Sequence, residues 1–563
     1  MEYIWKQPNK INKEILQDFP ELDPIVVQLL YNRGLNTQEK IDEFLNPDYG
    51  QDIHDPFLFS DMKKACQRIY KSINKKELIT IFGDYDADGV SSSIILREVL
   101  VALGAKVNVY LPHREKDGYG LSNKAVQDFK KDKTKVVITV DCGISSVEEI
   151  AEANNNNIDV IITDHHSIPE ELPKAYSIIH PKVDKKYPFK GLAGGGVAFK
   201  LAQGLLHSKD NNKVDIEQEK WLLDMVAIAT VADMVPLLGE NRTLLKYGLI
   251  VLEKTRRIGL QSLIKVSNIK EISVRSIGFS IAPRINVAGR MDHANLAYYL
   301  LKEEDREKAH KLSLELNNSN LARQRITEQI FREAINTKIN LDDKLLVFYN
   351  QKWLAGLTGL IASKLLRKYN RPCLVITKNK ETKDLVGSGR SINKFNVTEA
   401  LSKLEDLLLK FGGHPQACGF SIKEDNLEKF KEKIIKIANK ELKDIKPQSE
   451  LKIELEINFE DINWELVDLV DKFKPFGKDN EEPLFLSKNV VITNLRKVGK
   501  DEKHLKIELM KKNKKINCIG FNLASKELSI GNKVDLVYNL SINEWNNQRQ
   551  IQLIIKDIKI NEV

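Results

Sequence analysis

Between Leu78 and Ile179 short apolar runs alternate with helical patterns, which leaves that stretch few ways to fold. ELITIF, AKVNVYL, KVVITV and DVIIT read as strands; VSSSIILREVLVAL, stopping at Gly104, and SSVEEIAEA read as helices. Strands joined through helices lie parallel, and strands covered on both faces read as unbroken Val/Ile/Leu runs. The expectation is an α/β, doubly wound, mostly parallel sheet. Ligands bind such sheets beyond the carboxyl ends of the strands. Three of those ends carry acids or histidines: Asp84, Asp86 and Asp88 in GDYDADG, Asp141 in VDCG, and Asp164, His165 and His166 in TDHH.

Residues i, i+2 and i+4 of an extended chain share a face, so Asp84, Asp86 and Asp88 are expected to point together, with Gly89 turning the backbone into the next helix. Clustered carboxylates need counter-charge, and a hard divalent cation supplies it. A mixed Asp/His set without cysteine favours Mn²⁺ or Mg²⁺ over structural zinc. The donors exceed what one ion needs, so a two-metal site is the reading, and its usual work is phosphate-ester hydrolysis by activated water. A solvated loop or a calcium loop is the alternative. The triplet lacks the downstream bidentate Glu of an EF-hand loop, and convergence of three strand ends weighs against both.

The rest of the chain divides by texture. Residues 192–251 are helical and strongly apolar, and within them Asp233 is either a helix cap before Pro236 or a metal ligand. A long amphipathic helix is expected over 305–339, bent at Asn317–Asn320. A second α/β unit starts at Lys344, and after Pro447 short alternating strands indicate a small all-β barrel or sandwich. The expected boundaries are 1–55, 56–300, 301–342, 343–445 and 446–563. At 563 residues one core is excluded. The net charge of +8 permits a polyanion partner without demanding one. Five scattered cysteines without a CxxC pair read as reduced thiols of a cytoplasmic protein. No run has signal-peptide or membrane-span length, so no membrane contact is expected. KKNKK at 511–515 reads as a hairpin tip that either touches nucleic acid or is a solvated turn, and Phe521, Tyr538 and Trp545 are either base-stacking or core.

GDYDADG, VDCG, TDHH and ATVADMVPL, in this order, resemble the phosphoesterase motifs of the DHH superfamily, and GRSINKFNV and GGHPQACGF resemble those of its DHHA1 domain. GYGLS, LAGGGVAFKLA and APRINVAGR narrow the resemblance to the RecJ family of single-stranded-DNA-specific exonucleases, and KPFGKDNEEPLF resembles the start of that family's OB-fold domain. The resemblance implies a DHH domain joined by a long helix to a smaller DHHA1 domain, followed by an OB-like barrel. It implies Asp86, Asp88, Asp141, His165 and Asp233 as ligands of Mn²⁺ or Mg²⁺, and His166 beside the scissile phosphate. Asp84, with Asp164, would be more an orienting group than a ligand. Arg284 and Arg290 would grip the DNA backbone, while Ser388, Arg390, Gly412, Gly413 and His414 would line the opposite wall as a phosphate clamp. The implied activity is 5′-to-3′ digestion of single-stranded DNA to mononucleotides in recombination and repair. The implied setting is a monomer working with single-strand-binding protein and a helicase. Rivals are a DHH phosphodiesterase of short or cyclic nucleotides and an inactive replication scaffold. Leu354 stands where the family motif usually has histidine, Ala417–Cys418 replaces an Ala-Ala, and KPFGKDNEEP lacks a family glycine and proline.

Overall fold

Five parallel strands, β1 (Leu78–Gly83), β2 (Lys106–Tyr110), β3 (Thr134–Val140), β4 (Asp159–Thr163) and β5 (Ser177–Ile179), form the first sheet in spatial order β2-β1-β3-β4-β5. The chain leaves β1 for β2 on one side, then returns to place β3 on the other. The doubly wound expectation holds, and the switch point lies between β1 and β3, where such sheets bind ligands. Residues 3–113, 120–291, 295–379, 382–445, 448–545 and 548–561 are described by this computed structural model, without the side chains of Met291 and Trp545. Gly118 and Tyr119 of GYGLS, the change of texture at Pro447 and the Trp545 ring therefore lie outside the described residues.

Both faces of the sheet are covered. Ile79, Ile81 and Ile138 enter one core with α1 (Ala87–Ala102), α2 (Gly194–Leu206) and α3 (Leu223–Ala232), while Phe82, Val137 and Ile162 enter another with helices Asn123–Lys131 and Val147–Asn155. Because α1 is surrounded, it is buried without a break from Ala87 to Leu96 and has no polar face there. Helix α4 (Ala282–Met291) then leads towards α5 (Arg306–Ile335), thirty residues long. The bend expected at Asn317–Asn320 interrupts nothing: α5 stays helical through them, with Asn320 buried and Asn317 engaged by Arg284.

The second sheet, β6 (Leu346–Tyr349), β7 (Cys373–Lys378), β8 (Leu385–Arg390), β9 (Leu408–His414) and β10 (Ala417–Ile422), has the order β9-β10-β8-β7-β6 and is antiparallel except for β6–β7. Helix α6 (Thr358–Tyr369) packs on it. The barrel strands β11 (Phe485–Val498), β12 (His504–Lys511), β13 (Lys514–Gly520), β14 (Lys533–Trp545) and β15 (Gln548–Ile560) close on themselves, because β14 pairs with both β15 and β11. Closure removes the sheet edge. Tyr538 is fully buried in this barrel, its hydroxyl 2.8 Å from Ser487 Oγ, so it is core; Phe521 is half exposed. The N-terminal segment joins the barrel: Phe19, Val26, Leu30, Ile41 and Phe44 share its core, and Tyr3–Lys6 pairs in parallel with Ser449–Lys452. All five cysteines are buried free thiols, and among the described residues no helix is long and apolar enough to cross a membrane.

Candidate metal centre

The loop after β1 is not the extended strip that alternate acids imply. Asp86 is the N-cap of α1, with Oδ1 accepting from the N–H groups of Asp88 (2.9 Å) and Gly89 (3.2 Å), and Asp88 lies in the first helical turn. The three acids converge because a strand end meets a helix start. Gly89 serves close approach rather than a turn, since a Cβ there would meet the Asp84 backbone at 2.5–2.7 Å.

Asp88 is held by the neighbouring helix α2 on the same face of the sheet. Its carboxylate accepts from the first N–H groups of α2, Gly194 (2.8 Å) and Gly195 (2.6 Å). A Cβ on Gly194 would lie 2.6 Å from Asp141 Oδ1, and one on Gly195 would lie 2.4 Å from Ala229 Cβ. Only glycine lets this helix end approach the acids so closely. Asp141 follows β3 in the left-handed region at φ +60°, a strain that an Asp tolerates better than most residues and that clusters at functional sites. Its Oδ1 lies 3.1 Å from His165 Nε2, which also lies 3.6 Å from Asp233 Oδ2. Asp233 does cap a helix, as the C-cap of α3, and still turns its carboxylate into the site.

Among the described residues three overlapping groups result, each with ligand atoms within 4.8 Å of one another: Asp84, Asp86 and Asp141; Asp88, His165 and Asp233; and Asp141, His165 and His166. Like charges at that spacing repel by about 3–4 kcal/mol per pair at the effective dielectric of a protein. Burial and the neighbouring carboxylates accordingly push Asp141 far above the carboxylate range, Asp88 up to about 7 and Asp233 up to about 8. Burial, with His166 beside it, lowers His165 to about 3, so its imidazole is neutral, the form that ligates a metal. This donor set fits hard divalent cations: oxygen-rich, with the neutral imidazole of His165, and held ionised only against a cost that a cation would relieve.

Asp164 does a different job. Its carboxylate accepts from Ile144 N (2.9 Å), His165 N (2.7 Å), His166 N (3.1 Å) and His166 Nδ1 (2.8 Å). Burial would raise its pKa, but these bonds hold it well below the carboxylate range, and burial of His166 is likewise outweighed by Asp164, which lifts the ring to about 9. The Asp164–His166 pair orients a charged imidazole at the mouth of the acid cluster.

The second α/β unit faces that mouth. Burial lowers His414, and so do the positive charges of His166 and Lys182, which places it near them. Gly412 and Gly413 are exposed on the same strand, β9, with Gly412 open to space. Ser388 and Arg390 share a face of β8; Ser388 Oγ lies 2.9 Å from Thr358 Oγ1, and Arg390 reaches over Gly359 at the start of α6. The two other arginines lie on α4, whose Gly289 packs against Tyr85 of the acid loop. Arg290 Nη1 donates to the Gly356 carbonyl (3.4 Å), tying α4 to the second unit. The Arg284 fork is turned inward, donating to Asn317 Oδ1 (3.1 and 2.9 Å) and the Ser280 carbonyl (2.8 Å).

Some contributors escaped the motif reading. Asn286 Oδ1 accepts from Ala87 N (2.7 Å), fixing the metal loop against α4. His180, fully buried just after β5, accepts from Lys182 N on Nδ1 and therefore donates Nε2–H to the His166 carbonyl (3.1 Å). Lys182 Nζ donates to the His165 carbonyl. His180 stands at a fourth strand end, and the rule that singled out the other three would have found it. KKNKK is the expected hairpin tip between β12 and β13, but its lysines are engaged: Lys511 with the Lys488 carbonyl, Lys512 and Lys514 with Glu460, and Lys515 with Glu508.

Family models match three stretches: the DHH family N-terminal domain over residues 78–230, the DHHA1 domain over 342–440 and the RecJ OB domain over 453–557. The single-stranded-DNA-specific exonuclease RecJ of Bacillus subtilis (strain 168) is 38% identical, with 100% of this chain and 71% of that protein covered. The protein of the same description from Escherichia coli (strain K12) is 31% identical over 96% of this chain and 97% of its own length. The crystal structure of RecJ in complex with Mn²⁺ from Thermus thermophilus matches with a TM-score of 0.86 at 26% identity, over 99% of this chain and 80% of that one. Its counterpart with Mg²⁺ matches with a TM-score of 0.80 at 25% identity, over 99% and 79%.

Proposed function

The chain belongs to the RecJ family, and from that premise we propose that it is a metal-dependent exonuclease that digests single-stranded DNA from the 5′ end to mononucleotides. The observation that carries this reading is the meeting of Asp84, Asp86, Asp88, Asp141, His165 and Asp233 at the switch point of the first sheet. Asp86, Asp88, Asp141, His165 and Asp233 would hold Mn²⁺ or Mg²⁺, with Asp84 near enough to Asp86 and Asp141 to share the load. The metals, when bound, supply an activated water and neutralise charge developing on the phosphate.

The chain's own residues do the rest. Asp164 fixes the His166 ring through Nδ1 so that its charge faces the scissile phosphate. The α2 N–H groups keep the Asp88 carboxylate from swinging away, and Asn286 keeps the α1 N-terminus seated. Across the mouth, His414, Gly412, Gly413, Ser388 and Arg390 would clamp a phosphate. Glycine backbone admits close approach and an arginine fork grips paired oxygens. A terminal phosphate held there, beside the cluster rather than beyond it, gives polarity. Arg290, at the seam of the two units, would follow the DNA backbone; Arg284 would do so only by exchanging Asn317 for phosphate. The domain boundaries at 55, 300, 342 and 445 would separate an N-terminal helical segment, the cutting unit, a connecting helix, the clamp and the barrel. Membership of the family supports a role in recombination and repair, in the cytoplasm, as a monomer beside single-strand-binding protein and a helicase.

Polarity is tested with single-stranded oligonucleotides carrying a bulky block at one end. The 5′-blocked strand is expected to survive with Mn²⁺ present while the 3′-blocked strand is digested. The opposite pattern would refute the 5′ assignment and leave the phosphoesterase chemistry standing.

A further inference from the structure

The turn that carries Asp233 lies where two cores meet. Leu237 belongs to the core of the first sheet, and Leu238, the next residue, packs against the core shared by the N-terminal segment and the barrel. A loop of the C-terminal unit, Lys472–Asn480, reaches across this junction. Leu237 N–H donates to the Lys478 carbonyl (2.9 Å), and a Cβ on Gly477 would sit 2.4 Å from Leu237 Cδ1. Arg242, 1% exposed, donates to the carbonyls of Lys472 (3.1 Å), Phe473 (3.0 Å) and Lys474 (2.8 Å) and to that of Phe44 (2.7 Å), and it stacks 3.8 Å from the Phe44 ring. The loop is itself fixed by buried Asn480, whose Nδ2 donates to the Phe473 (2.8 Å) and Pro475 (2.9 Å) carbonyls while its Oδ1 accepts from Arg33 Nε (2.8 Å). From the other side, Asn241 Nδ2 donates to the carbonyls of Pro236 (3.0 Å) and Gly191 (2.6 Å).

A buried guanidinium is costly unless its donors are filled, and here carbonyls from two distant segments fill them. The stretch between Asp233 and Arg242 is thus pinned at three points, and two of the three belong to the C-terminal unit. We propose that Lys472–Asn480 is a brace for the Asp233 turn, and that Arg242, Leu237 and Gly477 are positioning residues for the metal site. The inference rests on Asp233 holding metal. It also means that removing the chain from residue 450 onward takes away support for the metal site along with any DNA contacts, so such a truncation does not leave the chemistry untouched.

The test is direct Mn²⁺ binding to the metal-stripped full-length chain, by electron paramagnetic resonance of free Mn²⁺, beside turnover against Mn²⁺ concentration. Gly477→Ala and Arg242→Lys are expected to weaken Mn²⁺ binding by about tenfold, the low end for losing a partner behind a ligand, with turnover recovering as Mn²⁺ saturates. Phe430→Leu, in the separate core of the second α/β unit, should lower the melting temperature without moving Mn²⁺ affinity. Gly477→Ala binding Mn²⁺ within about twofold of wild type, while Asp233→Ala binds poorly, would overturn the brace. Asp233→Ala binding Mn²⁺ like wild type would instead overturn the ligand reading beneath it. Should Arg242→Lys fail to fold, Gly477→Ala decides alone.

Discussion

Asp88 and Asp164 are both buried carboxylates at strand ends, yet their surroundings drive them in opposite directions. Asp164 is saturated by N–H donors and a charged imidazole and stays ionised; burial, then the facing acids, push Asp88 up to about 7 and Asp233 up to about 8. That contrast separates an orienting acid from metal-holding ones, and it sets a pH dependence. Without metal, the folded chain keeps protons on Asp88 and Asp233 that the unfolded chain loses near the ordinary carboxylate value of 3.8. The site's contribution to stability is therefore present below that value and is lost as pH rises through about 7 to 8. Asp164 has the reverse sign and costs stability only in acid. Metal binding needs the ionised forms, so Mn²⁺ should raise the melting temperature of the stripped chain more at pH 8 than at pH 6. Equal shifts at the two pH values would mean that these carboxylates do not receive the ion. At this scale the sequence was legible wherever an acid followed an apolar strand run. It was silent on the partner of Arg284: the motif marks this residue for DNA, but its fork is engaged by Asn317, thirty-three residues away. Such partners belong to tertiary packing and leave no local pattern.

Among the elements, the N-terminus of α2 matters most to the site. LAGGGVAFKLA stands out as a motif, but only the packed structure says why glycines are needed: α2 must touch Asp88 with its N–H groups and pass Asp141 with no side chain between. Gly194→Ala should move α2 or the Asp141 carboxylate, destabilising the fold by about 1–3 kcal/mol as an overpacked site does. Hydrolysis should fall much further than that loss explains, by at least about 100-fold, because two ligands are displaced together. A variant that melts lower but cuts at the wild-type rate would show that the approach of α2 is merely structural. The strands around it were readable as short unbroken Val/Ile runs ending in acids or glycine, since β1, β3 and β4 are covered on both faces. Alternate acids misled because Asp86 and Asp88 span the change from strand end to helix, where the period of two no longer applies.

In the whole molecule the barrel has two relations to the rest: a brace through Lys472–Asn480, and a candidate surface for the strand. The lysine-rich hairpin is a poor candidate for the second, because its lysines already meet Glu460, Glu508 and a backbone carbonyl. Neutralising Lys511, Lys512, Lys514 and Lys515 together should leave the salt dependence of single-stranded DNA binding within about 0.7 of wild type, the slope of one phosphate contact. A fall near four such contacts would put the hairpin on the DNA. The union of the N-terminal segment with the barrel was beyond sequence reading: Phe44 and Phe473 meet at 5.4 Å from more than four hundred residues apart. All of these parts serve the convergence of acids at the first sheet's edge, and Asp141 stands at its centre, in two of the three ligand groups. The decisive measurement is the rate at which purified Asp141→Ala releases nucleotides from end-labelled single-stranded DNA with saturating Mn²⁺. A folded variant slowed by more than about 100-fold is the predicted result, and one that cuts within about tenfold of wild type would contradict the metal centre.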